Sequence, residues 1–107
     1  MTRGDLVSVV LPGDYGKPRP ALVIQADGFQ YLNSVTVLPL TSEMLDLIET
    51  RVSIHPTPAN GLRTSSQVMI DKIGTLRREK VGQLIGRIDD SDMTNVERAL
   101  AAFLGFA

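Results

Sequence analysis

The chain has 107 residues, of which 43% are hydrophobic and 21% charged, so it is long enough for one domain with its own core. It contains no cysteine and a single histidine, which excludes disulfides, thiol nucleophiles and the Cys- or His-pair motifs of zinc sites. The formal net charge of −1 gives no overall attraction to nucleic acid, and no segment resembles a membrane span or a signal peptide, so we expect a cytoplasmic protein.

The N-terminal half is predicted to form strands joined by loops. Three branched apolar runs bounded by turn residues predict strands: Asp5 to Leu11, Arg19 to Gln25 and Ser34 to Leu40. Residues 12–18 are dense in glycine and proline and predict a loop between the first two strands. Glu43 to Glu49 predicts a short middle helix, since Thr41 or Ser42 can cap it and its acids suit the positive end of a helix.

The second half is predicted to continue with strands. Three further segments have strand character: Arg51 to Ile54, Gln67 to Ile70 and Val81 to Ile88. Asn60-Gly61 favours a type I′ hairpin turn, in which both residues have positive φ. Gly82 and Gly86 lie inside the last of these strands and indicate a bulge or a close approach of two backbones.

The clearest helix follows at the C-terminal end. Its apolar residues recur at helical spacing: Met93, Val96, Leu100, Phe103 and Leu104. Ser91 can cap this helix and Gly105 can end it. The order of elements predicts a mainly β (α+β) fold, a small antiparallel barrel with a short middle helix and a C-terminal helix. We expect a single domain over residues 1–107.

Two strand ends carry side chains suited to phosphate chemistry. Arg19 opens the second strand with a planar guanidinium, and Thr41 follows the third strand with a hydroxyl donor. Such a pair can stabilise charge that develops in a transition state, although a strand-end arginine is more often a salt-bridge partner. His55 on its own favours a structural role. The six cations from Arg63 to Arg87 either form a basic face or belong to a solvated mixed surface.

Four short motifs follow one another along the chain. They are Arg3-Gly4-Asp5-Leu6-Val7 with Gly16-Lys17-Pro18-Arg19-Pro20, then Val37-Leu38-Pro39-Leu40-Thr41-Ser42, then Gln67-Val68-Met69-Ile70-Asp71-Lys72, and last Val81-Gly82 leading into a helix that closes with Ala99-Leu100 and Leu104-Gly105. In this order they resemble the MazF/PemK/Kid toxins of bacterial type II toxin–antitoxin modules, and the resemblance covers nearly the whole chain.

The resemblance implies a homodimer of SH3-like barrels that cuts single-stranded RNA at specific sequences. In that family the RNA 2′-hydroxyl attacks the adjacent phosphate without a metal or other cofactor, and a cognate antitoxin protein inhibits the toxin. By motif, Arg19 and Thr41 match the catalytic residues. The RNA-binding residues that the resemblance implies are Tyr15, Lys17, Ser42, Ser66 and Gln67.

The chain departs from the family's pattern in three places, one of which is Val68-Met69 after Gln67, where the family has Arg-Thr. The loop between the first two strands lacks the His, Glu or Gln that some relatives carry and offers Asp14 as its one carboxylate. Before Gln67, where some relatives have a functional Arg and Asp, the chain has Thr64, Ser65 and Ser66. The general base therefore has no good candidate.

Two other functions remain open at the level of sequence. CcdB-type gyrase poisons resemble this fold but end in Trp-Gly-Ile, whereas this chain has no tryptophan and ends Gly105-Phe106-Ala107. A catalytically weak SH3-like RNA-binding module is the third possibility. Cleavage of a long RNA in the presence of EDTA separates the three.

Overall fold

The structure is a computed structural model that describes residues 1–46 and 48–107, within which seven strands precede one α-helix. The strands are β1 Asp5–Val9, β2 Arg19–Val23, β3 Ser34–Thr41, β4 Arg51–Ile54, β5 Ser66–Met69, β6 Gly74–Arg77 and β7 Leu84–Arg87. The helix α1 is Asp90–Leu104. Three 3₁₀ turns lie at Asp27–Phe29, Ile70–Lys72 and Arg78–Lys80. No helix in the described ranges has the length and hydrophobicity of a membrane span.

All strand pairs are antiparallel, in the order β4-β5-β3-β2-β1-β7, with β6 added to β3. The first half of β3 pairs with β6 and its last two residues, Leu40 and Thr41, pair with β5. Pro39 lies at this change of partner, where its missing N–H breaks no ladder bond on that side. One continuous strand thus joins two parts of a curled half-barrel, which confirms the predicted antiparallel, barrel-like fold.

Both faces of the curled sheet are buried. On one face, α1 packs with Met93 and Val96 onto a cluster that includes Leu22, Leu38 and Ile54. On the other, alternate residues of β1, β2 and β3 form a second, Val-rich cluster. Alternation along a strand sends neighbouring side chains to opposite faces, so these short strands are apolar at nearly every position.

Several sequence-based boundaries are confirmed and others are corrected. The strand from Arg51 to Ile54 is confirmed, and α1 ends at Gly105, whose φ of 84° is left-handed. The cap of α1 is Asp89 rather than Ser91, because the Asp89 carboxylate accepts the Asp92 N–H at 2.7 Å. Strand β6 was not predicted, since Gly74-Thr75-Leu76-Arg77 has little strand propensity and is held by its pairing with β3.

The predicted middle helix from Glu43 to Glu49 is wrong for the residues that the structure describes there, which form irregular backbone with a bend at Asp46 and a turn at Glu49; Leu47 lies outside them. Side chains from the sheet bind this backbone instead. The Gln67 amide accepts the Leu45 N–H at 3.0 Å and donates to the Leu45 carbonyl at 2.9 Å, and Arg51 donates to the Glu43 carbonyl at 3.2 Å. These tertiary hydrogen bonds take the place of helical backbone hydrogen bonds, because a short isolated helix is only marginally stable.

The predicted Asn60-Gly61 hairpin is also wrong. Gly61 has a φ of 69°, but Asn60 lacks the positive φ that a type I′ turn requires. Asn60 is almost fully buried and its side chain holds the β4–β5 connection together. The side-chain oxygen Oδ1 of Asn60 accepts the N–H groups of Thr57 and Leu62 at 3.0 Å, and the side-chain NH₂ donates to the His55 carbonyl at 2.8 Å. The pair thus closes an internally bonded loop.

The strand predicted over Val81 to Ile88 is shorter, Leu84–Arg87, so Gly82 precedes it. The predicted close approach is nevertheless confirmed at both glycines: a Cβ on Gly82 would lie 3.0 Å from the Ser8 carbonyl oxygen. The register of β1 against β7 shifts between Leu6 and Val7, as a bulge requires. A Cβ atom on Gly86 would lie 2.4 Å from the backbone carbonyl of Asn60. The β4–β5 connection therefore rests directly on the β7 backbone.

Replacing Asp5 by asparagine is expected to lower the stability by about 1 kcal/mol at pH 7. Burial tends to raise the pKa of Asp5, but hydrogen bonds from the Thr2 N–H and from Arg87, with the Arg87 charge, outweigh burial and hold the pKa below its ordinary value. A lowered pKa in the folded state stabilises the protein above the unfolded pKa of about 3.9, and this contribution disappears as the pH falls through the folded pKa. Melting temperatures of both proteins should differ at pH 7 and converge in acid; an equal difference at every pH would contradict this role.

Candidate active site

The strand register brings Arg19 and Thr41 together. In the β2–β3 pair Ala21 lies opposite Pro39, and continuing this register by two residues sets Arg19 level with Thr41. The two side chains therefore project from one face of adjacent strands, at the open end where β2 begins and β3 ends. The Thr41 hydroxyl oxygen accepts the Glu43 N–H at 3.1 Å, so the hydroxyl proton is left to donate elsewhere.

The β1–β2 loop folds over the start of β2. The backbone carbonyl of Leu11 accepts the Asp14 N–H, and the backbone carbonyl of Asp14 accepts the Lys17 N–H, so two successive turns are closed. Tyr15 lies in the second turn and has a φ of 52°, a left-handed conformation that costs a residue with a side chain about 1 kcal/mol. The Tyr15 ring is fully exposed. The loop thus presents an aromatic ring and Lys17 to solvent beside Arg19.

Asp14 holds the Arg19 guanidinium side-on. Arg19 donates from Nε to Asp14 Oδ2 and from Nη2 to Asp14 Oδ1, both at 2.7 Å. The Asp14 side chain is only 12% exposed, whereas that of Arg19 is 32% exposed. No described residue accepts a hydrogen bond from Arg19 Nη1, so the outer edge of the guanidinium is available to a second anion.

The opposite wall comes from the β4–β5 connection. Gly61, Leu62, Arg63 and Thr64 line it above Ile85 of β7. A Cβ on Gly61 would lie 2.3 Å from the Ile85 carbonyl oxygen, so the loop backbone fits closely against the strand. Arg63 was not predicted as a site residue; the only signal for it in the sequence was its place in the run of cations.

These walls enclose one groove of about 710 Å³, which we call the Arg19 groove. It brings together most of the predicted site residues: Arg19, Thr41, Tyr15, Lys17, Ser42 and Ser66. Arg19, Lys17 and Arg63 are its cations, and Asp14 is its carboxylate. The described residues contain no group of three carboxylate or imidazole side chains that could hold a metal ion.

Gln67 lies away from the Arg19 groove. Its side chain is buried on the other face of β5. There its amide exchanges two hydrogen bonds with the Leu45 backbone, and its oxygen also accepts from Arg51 at 3.2 Å. Side chains alternate across a strand, so Ser66 faces the groove and Gln67 does not. The hydrogen bonds of Gln67 therefore hold the backbone that follows Thr41 rather than reach the Arg19 groove.

Of the two alternatives for the cations from Arg63 to Arg87, the described residues do not form the single basic face. Arg63 lines the Arg19 groove, while Arg77 and Arg78 line a separate depression with Asn33. Arg87 donates to Asp5 at 2.9 Å. Strands β6 and β7 pair with different parts of the sheet, which separates cations that are close in sequence.

His55 lies outside the Arg19 groove, and its Nδ1 is 3.0 Å from the Ser65 hydroxyl oxygen. This contact favours the structural role that its sequence context indicated.

Comparison with known proteins gives a consistent result along the whole chain. Residues 2–104 match the family described as PemK-like, MazF-like toxin of type II toxin-antitoxin system. The chain is 46% identical over 108 residues to the probable endoribonuclease MazF of Mycolicibacterium smegmatis, an alignment that covers 100% of this chain and 99% of that relative.

Solved structures share the fold at lower identity. A mycobacterial endoribonuclease in complex with its cognate antitoxin superposes with a TM-score of 0.84 at 23% identity, over 100% of this chain and 97% of that one. The Mycobacterium tuberculosis toxin MazF-mt6 gives a TM-score of 0.81 at 24% identity, over 98% and 99% of the two chains. The curled sheet with one C-terminal helix is thus the architecture of these toxins.

Proposed function

The chain belongs to the PemK-like, MazF-like toxins of type II toxin-antitoxin systems, and we propose that it is a sequence-specific, metal-independent endoribonuclease that cuts single-stranded RNA in the Arg19 groove. The observation that carries this proposal is the arrangement of Arg19 and Thr41 at adjacent strand ends, with the outer edge of the guanidinium and the hydroxyl proton both available. Two donors that line one groove suit a phosphate group whose charge grows during reaction.

In the proposed reaction the RNA itself supplies the nucleophile. The 2′-oxygen forms a bond to the adjacent phosphorus and loses its proton, while the bond from phosphorus to the 5′-oxygen breaks and that oxygen gains a proton. The products are a 2′,3′-cyclic phosphate and a 5′-hydroxyl. Arg19 stabilises the charge on the non-bridging oxygens of the five-coordinate phosphorus, and Thr41 orients one of those oxygens.

Asp14 acts on this step through Arg19. A carboxylate that binds Nε and one side of Nη2 fixes the plane of the guanidinium and leaves the Nη1 edge pointing outward. A preorganised donor costs no reorganisation when the transition state forms. Asp14 is therefore a positioning residue in this proposal.

The remaining groove residues bind the RNA strand. Lys17 and Arg63 attract phosphates, and the exposed Tyr15 ring offers a surface on which a base stacks. The Ser42 hydroxyl donates or accepts hydrogen bonds, whereas the Ser66 hydroxyl already donates to the Thr64 carbonyl at 3.1 Å and can only accept.

Metal-independent cleavage is tested with purified protein and one long RNA. Because neither the attack nor the proposed stabilisation of charge uses a metal ion, the RNA should be cut equally well in EDTA and in magnesium. Sequencing the new ends gives the recognised sequence and should find cyclic phosphates at the 3′ ends. Activity that EDTA abolishes and magnesium restores would overturn this mechanism.

We further propose a homodimer that a cognate antitoxin inhibits, in the cytoplasm. The support is the family and, for the dimer, an exposed apolar end of α1 at Phe103 and Leu104. The cations of the Arg19 groove also suit an acidic antitoxin segment. Light scattering should give twice the 11.6 kDa chain mass at micromolar concentration, and a monomer would contradict the dimer.

The gyrase-poison alternative and the inactive SH3-like module are not favoured. The family match is to PemK-like and MazF-like toxins, and one groove contains both candidate catalytic residues.

A further inference from the structure

A second cavity adjoins the Arg19 groove behind Arg19. It measures about 440 Å³ and lies between the start of the β1–β2 loop, the middle of β3 and strand β6. Arg19 and Asp14 line both the groove and this cavity. The proposed catalytic arginine thus stands at the boundary of two concave surfaces.

The cavity has apolar walls and a cation at its rim. The walls come from five side chains: Leu11, Pro12, Pro39, Met69 and Leu76. Lys72 is the cation, and its side chain is 63% exposed with only a 3.5 Å contact to Asp71. Apolar walls beside an exposed positive charge match the two parts of a nucleotide, a base and a phosphate.

Gly74 keeps the cavity open. It belongs to β6 with an ordinary φ, and a Cβ at this position would contact nothing closer than the Lys72 carbonyl oxygen at 3.8 Å. Any larger residue would fit the backbone and occupy the cavity.

We propose that this cavity, which we call the Gly74 cavity, is a base-binding subsite for a nucleotide next to the scissile phosphate. The proposal rests on the proposed RNA cleavage at Arg19. A strand whose phosphate contacts Arg19 places one neighbouring base in the Gly74 cavity, where apolar side chains cover its faces, and brings a further phosphate to Lys72. The size of the cavity then restricts which base fits at that position.

The test uses two variants and two matched controls. Gly74→Leu fills the cavity, and its control is Gly28→Leu, since Gly28 also has an ordinary φ and open space around its Cβ position but lies in the Asp27–Phe29 turn. Lys72→Met removes the charge and keeps the length, and its control is Lys80→Met in the Arg78–Lys80 turn. Melting temperature and light scattering establish that each variant keeps the fold and assembly of the parent protein.

Binding is measured by fluorescence anisotropy with 2′-O-methyl RNA 12-mers, which lack the attacking hydroxyl and stay intact. The sequence surrounds a cut found with the parent protein, and each nucleotide in turn is replaced by an abasic residue. The parent protein should lose affinity about tenfold at one position beside the cut, as expected when a buried base is removed. Gly74→Leu should bind the complete 12-mer about tenfold more weakly and be insensitive to the abasic residue at that position. Lys72→Met should reduce the slope of log affinity against log salt by about 0.7, the contribution of one single-strand phosphate.

The outcomes separate this inference from the proposed function. Parent-like binding by Gly74→Leu, or equal sensitivity of both proteins to every abasic residue, overturns the subsite and leaves RNA cleavage untouched. A change of assembly in Gly74→Leu without an altered abasic profile also overturns the subsite, because the cavity is then a contact between copies. If the parent protein cuts no RNA, the proposed function fails; the binding test then uses a random-sequence 2′-O-methyl pool, and equal affinity of parent and variant overturns the subsite.

Discussion

Replacing Arg19 by alanine is expected to lower the rate of RNA cleavage by about 10²-fold or more, the usual loss when one strong oxyanion contact is removed. Arg19 lies at a strand end with a partly exposed side chain, and its backbone pairing with Val9 does not depend on the side chain. The free energy of unfolding should fall by about 1–2 kcal/mol, because the Asp14 carboxylate, which is only 12% exposed, loses both of its hydrogen bonds. Single-turnover cleavage rate and melting temperature, measured on the same preparations, test both statements.

Three further variants sharpen this test. Arg19→Lys should recover little activity, because a point charge cannot bind Asp14 side-on and a phosphate at its outer edge together. Thr41→Val keeps the shape, removes the hydroxyl and should also slow cleavage. Asp14→Asn should lower the rate less than Arg19→Ala, since it loosens the guanidinium without removing it. A folded Arg19→Ala protein with the normal rate would move the active site elsewhere.

Replacing Gly86 by alanine is expected to destabilise the protein by about 3 kcal/mol, at the upper end of the usual cost of overpacking. The new methyl group would overlap the backbone of Asn60 and Ala59, and neither backbone can move without breaking the Arg87 N–H bond to the Ala59 carbonyl at 2.9 Å. For a domain of this size the melting temperature should fall by about 10–20 °C. Thermal unfolding followed by circular dichroism measures it.

Gly28→Ala is the matched control, since nothing lies within 4 Å of a Cβ at that position. It should leave the melting temperature almost unchanged. If Gly86→Ala is as stable as this control, the close packing of the β4–β5 connection on β7 is not required. Because the same connection carries Arg63 into the Arg19 groove, a folded Gly86→Ala protein should also bind RNA more weakly.

Local sequence signals predicted the parts of the fold that depend on local physics. Branched residues between turn formers located β1, β2 and β3, and the spacing of apolar residues with Gly105 located α1. Elements made by distant partners were missed. Strand β6 exists because β3 pairs with it. The residues after Thr41 form irregular backbone rather than the predicted helix because the Gln67 side chain binds the backbone of Leu45.

The candidate site divides in the same way. Motifs pointed to Arg19 and Thr41, and the register sets them level with each other. The side-on partner of Arg19 and the approach of Arg63 depend on how two loops fold back over the sheet, which no local pattern encodes. Gln67 is the opposite case: its motif suggested RNA binding, and the structure places its side chain outside the Arg19 groove, against the backbone of Leu45.

The buried Asn60 has a consequence for the chemical ageing of the protein. An asparagine followed by glycine is the pair most prone to deamidation, in which the glycine nitrogen attacks the side-chain carbonyl and closes a succinimide ring. Here the Gly61 N–H donates to the Thr57 carbonyl at 3.3 Å, and the Asn60 amide is fixed by three hydrogen bonds of its own. Ring closure needs both groups released, so the Asn60 side-chain amide resists deamidation as long as the loop stays closed. The deamidated fraction of an aged sample therefore records how often the β4–β5 connection has opened.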